Sequence, residues 1–178
     1  MTRNALLLLP ATLLAGAAFA ARGTFQDGPP MAEPVAQHAL LKRMAGTWDA
    51  LVQAGEASEK GTYSCELGMN GLWLTSDFDG QLMGAPYQGH EVLGWDPDKK
   101  KYVGCWVDSM TSALTLTEGT WDEAKQSLTM ESLAPDPMTG QKMVNVTQFQ
   151  GDDQHVFRMH SGSLDSPPMM TITYTRRK

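Results

Sequence analysis

Cysteine is scarce: Cys65 and Cys105 are the only two in 178 residues. That number excludes a disulfide framework, and the spacing does not suit a zinc site. Positive charge is scarce as well, with 14 Lys and Arg against 20 Asp and Glu and a net charge of −6. Such a chain repels phosphate backbones, and its one basic run, Lys99-Lys100-Lys101, suits a solvated hairpin tip. Nucleic acid is therefore not an expected partner. After the first 20 residues nothing approaches the ~20 consecutive apolar residues of a spanning helix, so stable membrane insertion is not expected either. Helical periodicity is almost missing. The exception is 33–45, where Pro34 suits a first helical turn, Gln37, Leu40, Leu41 and Met44 share a face, and Gly46 suits the end.

What is present at the N-terminus reads as an address. Arg3 precedes an apolar run, Ala5 to Ala17, and Ala18-Phe19-Ala20 has the small-x-small form of a cleavage site. Residues 1–20 are thus expected to be a secretory signal peptide, cut after Ala20, with a periodic-structure-free leader over 21–32 and one domain over 33–178. The expected location is periplasmic or secreted.

From Thr47 onward the chain alternates short β-runs with turn residues. Strands are expected at 47–54, 60–67, 71–79, 86–95, 101–109, 113–121, 127–133, 142–150, 154–161 and 168–177. Asp96-Pro97-Asp98-Lys99 is a turn between two of them, because Pro97 presets φ and aspartate bonds its local backbone. Leu114 and Leu116 alternate with threonines, as do Leu128 and Met130 with Thr129, and Met170, Ile172 and Tyr174 with Thr171, Thr173 and Thr175. Alternation of this kind gives one buried and one wet face in antiparallel strands. A meander of about ten strands removes its free edges by closing on itself. The expected fold is all-β: an antiparallel, roughly ten-stranded barrel with one short N-terminal helix. The two cysteines lie on its second and fifth strands, several ~4.8 Å spacings apart, and are expected to be free, buried thiols.

Gly46-Thr47-Trp48 at the start of the first strand and Tyr174-Thr175-Arg176 at the end of the last would meet if those strands pair. The Arg176 guanidinium would then lie over the Trp48 ring and close one end. This arrangement resembles the calycins, the lipocalin and fatty-acid-binding superfamily. A closer resemblance runs through His38-Ala39-Leu40-Leu41, Met44 to Trp48, Gly84 to Gly89, Leu93 to Asp96, Tyr102 to Thr111, Gly119-Thr120 and Met138-Thr139-Gly140. These segments are similar to the bacterial family called domain of unknown function 1579, whose members are typically exported single-domain proteins. The family supplies no activity to carry over. It tends to have Gly-Gly-Arg-aromatic where this chain has Asn70-Gly71-Leu72-Trp73, so Leu72 stands in the arginine's place.

The candidate site follows from strand parity. Tyr102, Trp106 and Asp108 share one face of their strand, and an aromatic face carrying a carboxylate suits a small-molecule cavity. Asp108 would orient a polar group of the ligand there, or else brace the next turn through Ser109 and Thr111. His90 and Glu91 lie on opposite faces of the neighbouring strand, so at most one joins Asp108. The expected lumen is Tyr63, Trp73, Trp95, Tyr102 and Trp106, with Asp108 or His90 as polar handles and Trp48 and Arg176 as structural closure. No catalytic residue, metal ligand or cofactor is assigned: His155 and His160 have opposite parity, and the last strand lacks the His that a haem-binding barrel of the nitrobindin type would use. The methionines suit adaptable packing or a forgiving pocket lining. The reading is an exported barrel for an apolar or amphipathic small molecule. Its rivals are an envelope interaction or inhibitor module, and a barrel enzyme using Asp108 and His90. Oligomeric state is left open.

Overall fold

The computed structural model describes residues 31–178. The expected signal peptide and nearly all of the expected leader lie outside the described residues. Among the described residues one α-helix, α1 (His38–Met44), precedes ten strands: β1 (Gly46–Ala54), β2 (Ala57–Gly68), β3 (Trp73–Leu82), β4 (Ala85–Asp96), β5 (Lys101–Asp108), β6 (Thr111–Asp122), β7 (Ser127–Ser132), β8 (Met143–Phe149), β9 (Gln154–Ser161) and β10 (Met170–Arg176). Every strand pairs antiparallel with its sequence neighbours, and β1 pairs β10, so the sheet closes into a barrel with no free edge. The strand ends differ by at most three residues from those read off the turn chemistry. The Asp96 carboxylate accepts the Asp98 and Lys99 N–H groups at 2.9 and 3.0 Å, which fixes the β4–β5 turn.

The helix is shorter than expected. The His38 imidazole accepts the Val35 N–H at 2.9 Å, and the first bonds are i→i−3, from His38 to Val35 and from Ala39 to Ala36. Pro34 therefore precedes the helix rather than opening it. Gly46 is not its cap either. Ala45 ends α1 in an extended conformation, and Gly46 begins β1 with φ +127°. A Cβ on Gly46 would stand 2.5 Å from an Arg176 guanidinium nitrogen, so this position needs glycine both for conformation and for space.

That guanidinium organises one end of the barrel. Trp48 and Arg176 are register partners across β1 and β10, and the Arg176 Cζ lies 3.9 Å from the centre of the Trp48 ring. Arg176 also donates to the Ala45, Arg43 and Asp152 carbonyls at 2.7, 2.8 and 3.0 Å. The Trp48 Nε1–H donates to Met44 O at 2.9 Å, and Leu40, Leu41 and Met44 bury the apolar face of α1 over the same end. Helix, indole and guanidinium together make a floor.

Register decides which side chains face inward. Trp48, Tyr63 and Phe78 are successive partners across β1, β2 and β3, and all are buried. On β7 and β10 the apolar set points in, with Leu128, Met130, Ile172 and Tyr174 in the core. Strand β6 is inverted. Its Thr115 and Thr117 pair with the inward Trp106 and Gly104 of β5, so the threonines face in, whereas Leu114 and Leu116 are exposed outside. Pairing to β5 sets the face, and the apolar alternation of β6 is overridden.

Candidate functional site

The barrel encloses a cavity of about 360 Å³ above the floor, within the ~300–1,000 Å³ range of small-molecule pockets. Its mouth lies among the loops after β3, β5, β7 and β9, bordered by Gln81, Met110, Met138 and Met169. Eight methionines line it, and the inward row Met130, Asn145, Met159, Met170 crosses four adjacent strands at one level.

One wall is aromatic and acidic. Glu91 on β4 is the register partner of Trp106 on β5 and of Ser76 on β3. The Tyr63 hydroxyl donates to the Glu91 carboxylate at 2.7 Å. Protein surrounds most of that carboxyl, and the residue opens onto the cavity. Desolvation raises its pKa above the usual carboxylate value, opposed in part by the Tyr63 hydrogen bond. Beside it, the Trp106 indole lies flat across Gly89, where a Cβ would stand 2.0 Å from a ring carbon. The Trp106 Nε1–H donates to the Asp108 carboxylate at 3.0 Å, and the other Asp108 oxygen accepts the Met110 and Thr111 N–H groups at 2.9 and 3.2 Å. Asp108 therefore both faces the cavity and braces the β5–β6 turn.

The opposite wall carries His155. It is 1% exposed, stacks on Tyr174 at 4.7 Å, and meets the Trp48 ring edge-on at 4.4 Å. Burial, aided by the Arg176 and Arg43 charges behind the floor, pushes its pKa down to about 3, so the ring is neutral near pH 7. Its Nδ1, the Ser76 hydroxyl and the Asn145 carbonyl oxygen are buried without a protein hydrogen-bond partner.

The family model described as "Protein of unknown function (DUF1579)" matches residues 33–176. The chain belongs to that family. Among solved structures, this DUF1579 protein is similar to the S-type phycobiliprotein lyase CpeS from Guillardia theta, at 12% identity and a TM-score of 0.55. The match covers 81% of this chain and 94% of the lyase. At that identity it shows the fold, a calycin-like, lipocalin-like barrel. No curated protein matches the chain.

The DUF1579 barrel brings Tyr63, Trp106 and Asp108 together on the cavity wall. Trp95 and Tyr102 also point inward but lie at the floor end, edge to face at 5.1 Å, with the Tyr102 hydroxyl donating to Gln37 O. They border a separate, open groove beside α1 rather than the enclosed lumen. Two expected lumen residues are outside. Trp73 pairs with Gly94, where its ring occupies the space a Cβ would need, and the parity of β3 turns it outward because Leu74, Ser76 and Phe78 point in. His90 also points outward, to Asp77 at 2.7 Å, because Glu91 takes the inward position. His90 and Asp108 thus stand on opposite faces of the sheet, which removes the acid–base pair on which the enzyme reading rested. The carboxylate handle that parity left open is Glu91. Its spacing from Leu93 and Trp95 could have selected it. Phe78, Tyr87, His155 and Tyr174 also line the cavity, and the sequence reading assigns none of them to it.

The cysteines are both free, and the faces explain it: Cys65 points inward on β2 and Cys105 outward on β5. Cys105 is half-buried rather than buried as expected. Burial pushes the Cys65 thiol up to about 12. Iodoacetamide at pH 8 should label Cys105 alone in the folded protein and both thiols in urea. Mass spectrometry of the digested protein reads the result, and fast labelling of Cys65 in the native state would mean that the lumen wall opens.

Proposed function

We propose that this protein is an exported barrel that binds an apolar or amphipathic small molecule in its lumen. The observation that carries the reading is the enclosed cavity itself: mostly apolar walls with a few convergent polar groups, three of whose neighbours keep buried polar atoms without a protein partner. The likeness to a phycobiliprotein lyase supports it at the level of the fold, since that lyase is built on the same kind of barrel. Export rests on the sequence of residues 1–20 and on the resemblance to exported relatives.

A separate observation favours the interaction-module reading. The outer face of β5 and β6 exposes Val107, Leu114 and Leu116, with Leu133 beside them, an apolar stripe where a barrel surface is normally polar.

Native mass spectrometry of protein recovered from its own host, before and after organic extraction, separates the two. The expected result is a polypeptide beginning at Ala21 that carries a small mass lost on extraction. A bare polypeptide that co-purifies with a stoichiometric protein partner would overturn the lumen reading in favour of the outer face. A chain beginning at Met1 would overturn export.

A further inference from the structure

The charges that reach the lumen are all of one sign. Glu91, Asp108 and Asp136 line it, and among the described residues no lysine or arginine does. His155 brings no positive charge, because its ring is neutral. The nearest guanidiniums, Arg176 and Arg43, are spent on the floor: Arg176 on three carbonyls and the Trp48 ring, and Arg43 on Gln126, Gly151 and the Phe149 ring. Asp108 has three donors of its own. Glu91 has one, the neutral Tyr63 hydroxyl, and no cation inside the barrel faces it. His90 sits next to it in sequence but across the sheet.

An anionic headgroup entering this lumen would meet two or three carboxylates and no counter-charge. A cationic one would meet the free lone pairs of Glu91 and the aromatic rings around it. Tyr63, Tyr87 and Trp106 all lie against that wall, and ring faces attract cations. Beyond this polar seat the lining is mainly methionine, leucine and phenylalanine, interrupted by Thr115, Thr117, Asn145 and Thr147, with Asp136 at the mouth.

Resting on the lumen-binding reading above, we propose that the ligand is an organic cation: an amphipathic amine whose nitrogen sits at Glu91 between Tyr63 and Trp106, with its apolar body among the methionines. The geometry that assigns it is the convergence of one under-coordinated carboxylate and three aromatic rings in a lumen that, among the described residues, is lined by no lysine or arginine.

A matched series tests the charge without relying on any variant. Octylamine, 1-octanol and octanoate carry the same tail and differ in headgroup charge. Their binding to the full chain at pH 8 can be followed by calorimetry and by the quenching of tryptophan fluorescence. Octylamine should bind at least tenfold more tightly than octanol, and octanoate least tightly of all. In Glu91→Gln, which keeps an acceptor for Tyr63, the advantage of octylamine over octanol should vanish. If octanoate matches octylamine, or octylamine binds no better than octanol, the cationic assignment is overturned and the apolar-lumen reading stands. If the amine preference survives Glu91→Gln, the seat is not at Glu91 and the assignment is overturned. If none of the three binds, both the assignment and the lumen reading fall.

Discussion

Lowering the pH from 7 to 4 should cost the folded barrel about 3 kcal/mol through one side chain, His155. In the unfolded chain its imidazole titrates near 6.5, whereas in the barrel it holds out to about 3. The sign follows from proton uptake. As pH falls through 6.5 the unfolded state binds a proton that the folded state refuses, so stability is present in full above that value and drains away down to pH 3. A difference of this size amounts to about 4–5 kcal/mol over the whole window. Urea melts at several pH values should therefore show a steep acid slope in the wild type. His155→Phe, which keeps a ring between Tyr174 and Trp48, should flatten it. The comparison is of slopes, so a uniform packing cost in the variant does not disturb it. Equal slopes in both proteins would show that His155 is protonated in place. Glu91 works in the opposite direction: its folded pKa is raised, so its contribution is lost as pH rises through the carboxylate range, and it cannot mimic the acid effect.

Arg176→Ala should lower the melting temperature by about 6–12 °C. The guanidinium holds three carbonyls at 2.7–3.0 Å and covers the Trp48 ring, and the alanine variant leaves those acceptors under the helix unanswered. Charge-assisted bonds of this type contribute roughly 1.5–3 kcal/mol each when removed singly, and they are not additive, so about 3 kcal/mol is the working figure. A chain of this size shifts by about 2–4 °C per kcal/mol. Arg176→Lys keeps the charge over the indole but loses the forked donors and should fall between. The two predictions interlock. Because Arg176 helps to depress the His155 pKa, Arg176→Ala should also make the acid slope shallower. An unchanged melting temperature would mean that α1 and Trp48 close the barrel unaided.

Most of the architecture was written in local chemistry. Turn residues mark the ends of ten strands, and a long antiparallel meander has few ways to hide its edges except closure. What could not be read locally was which face is inside. The period of a strand is two residues, and a shift of one reverses every side chain. On β10 the apolar alternation pointed to the right face, whereas on β6 it pointed outward, because pairing with Gly104 and Trp106 fixes the threonines inside. The same ambiguity explains the site. Tyr63, Trp106 and Asp108 carry the parity that lines the lumen, whereas Trp73, expected there, has the opposite parity and lies against Gly94 outside. Parity admits only one of His90 and Glu91 to the lumen; the sequence reading names His90, and the pairing of Glu91 with Trp106 and Ser76 turns Glu91 inward instead. Sequence weighs His155 as a metal ligand and not as a buried neutral ring, because nothing local announces that the fold buries it with two arginines behind.

The methionine lining has a consequence for the breadth of what such a vessel can hold. A wall of branched side chains has a fixed contour and rewards one outline. Thioether arms turn about three bonds at little cost and take their contour from the guest. With a single anchoring point on one side and a pliant surface on the other, homologues that differ in length or branching would be retained almost equally. The protein would then behave as a scavenger of a chemical class and not as the receptor of one compound.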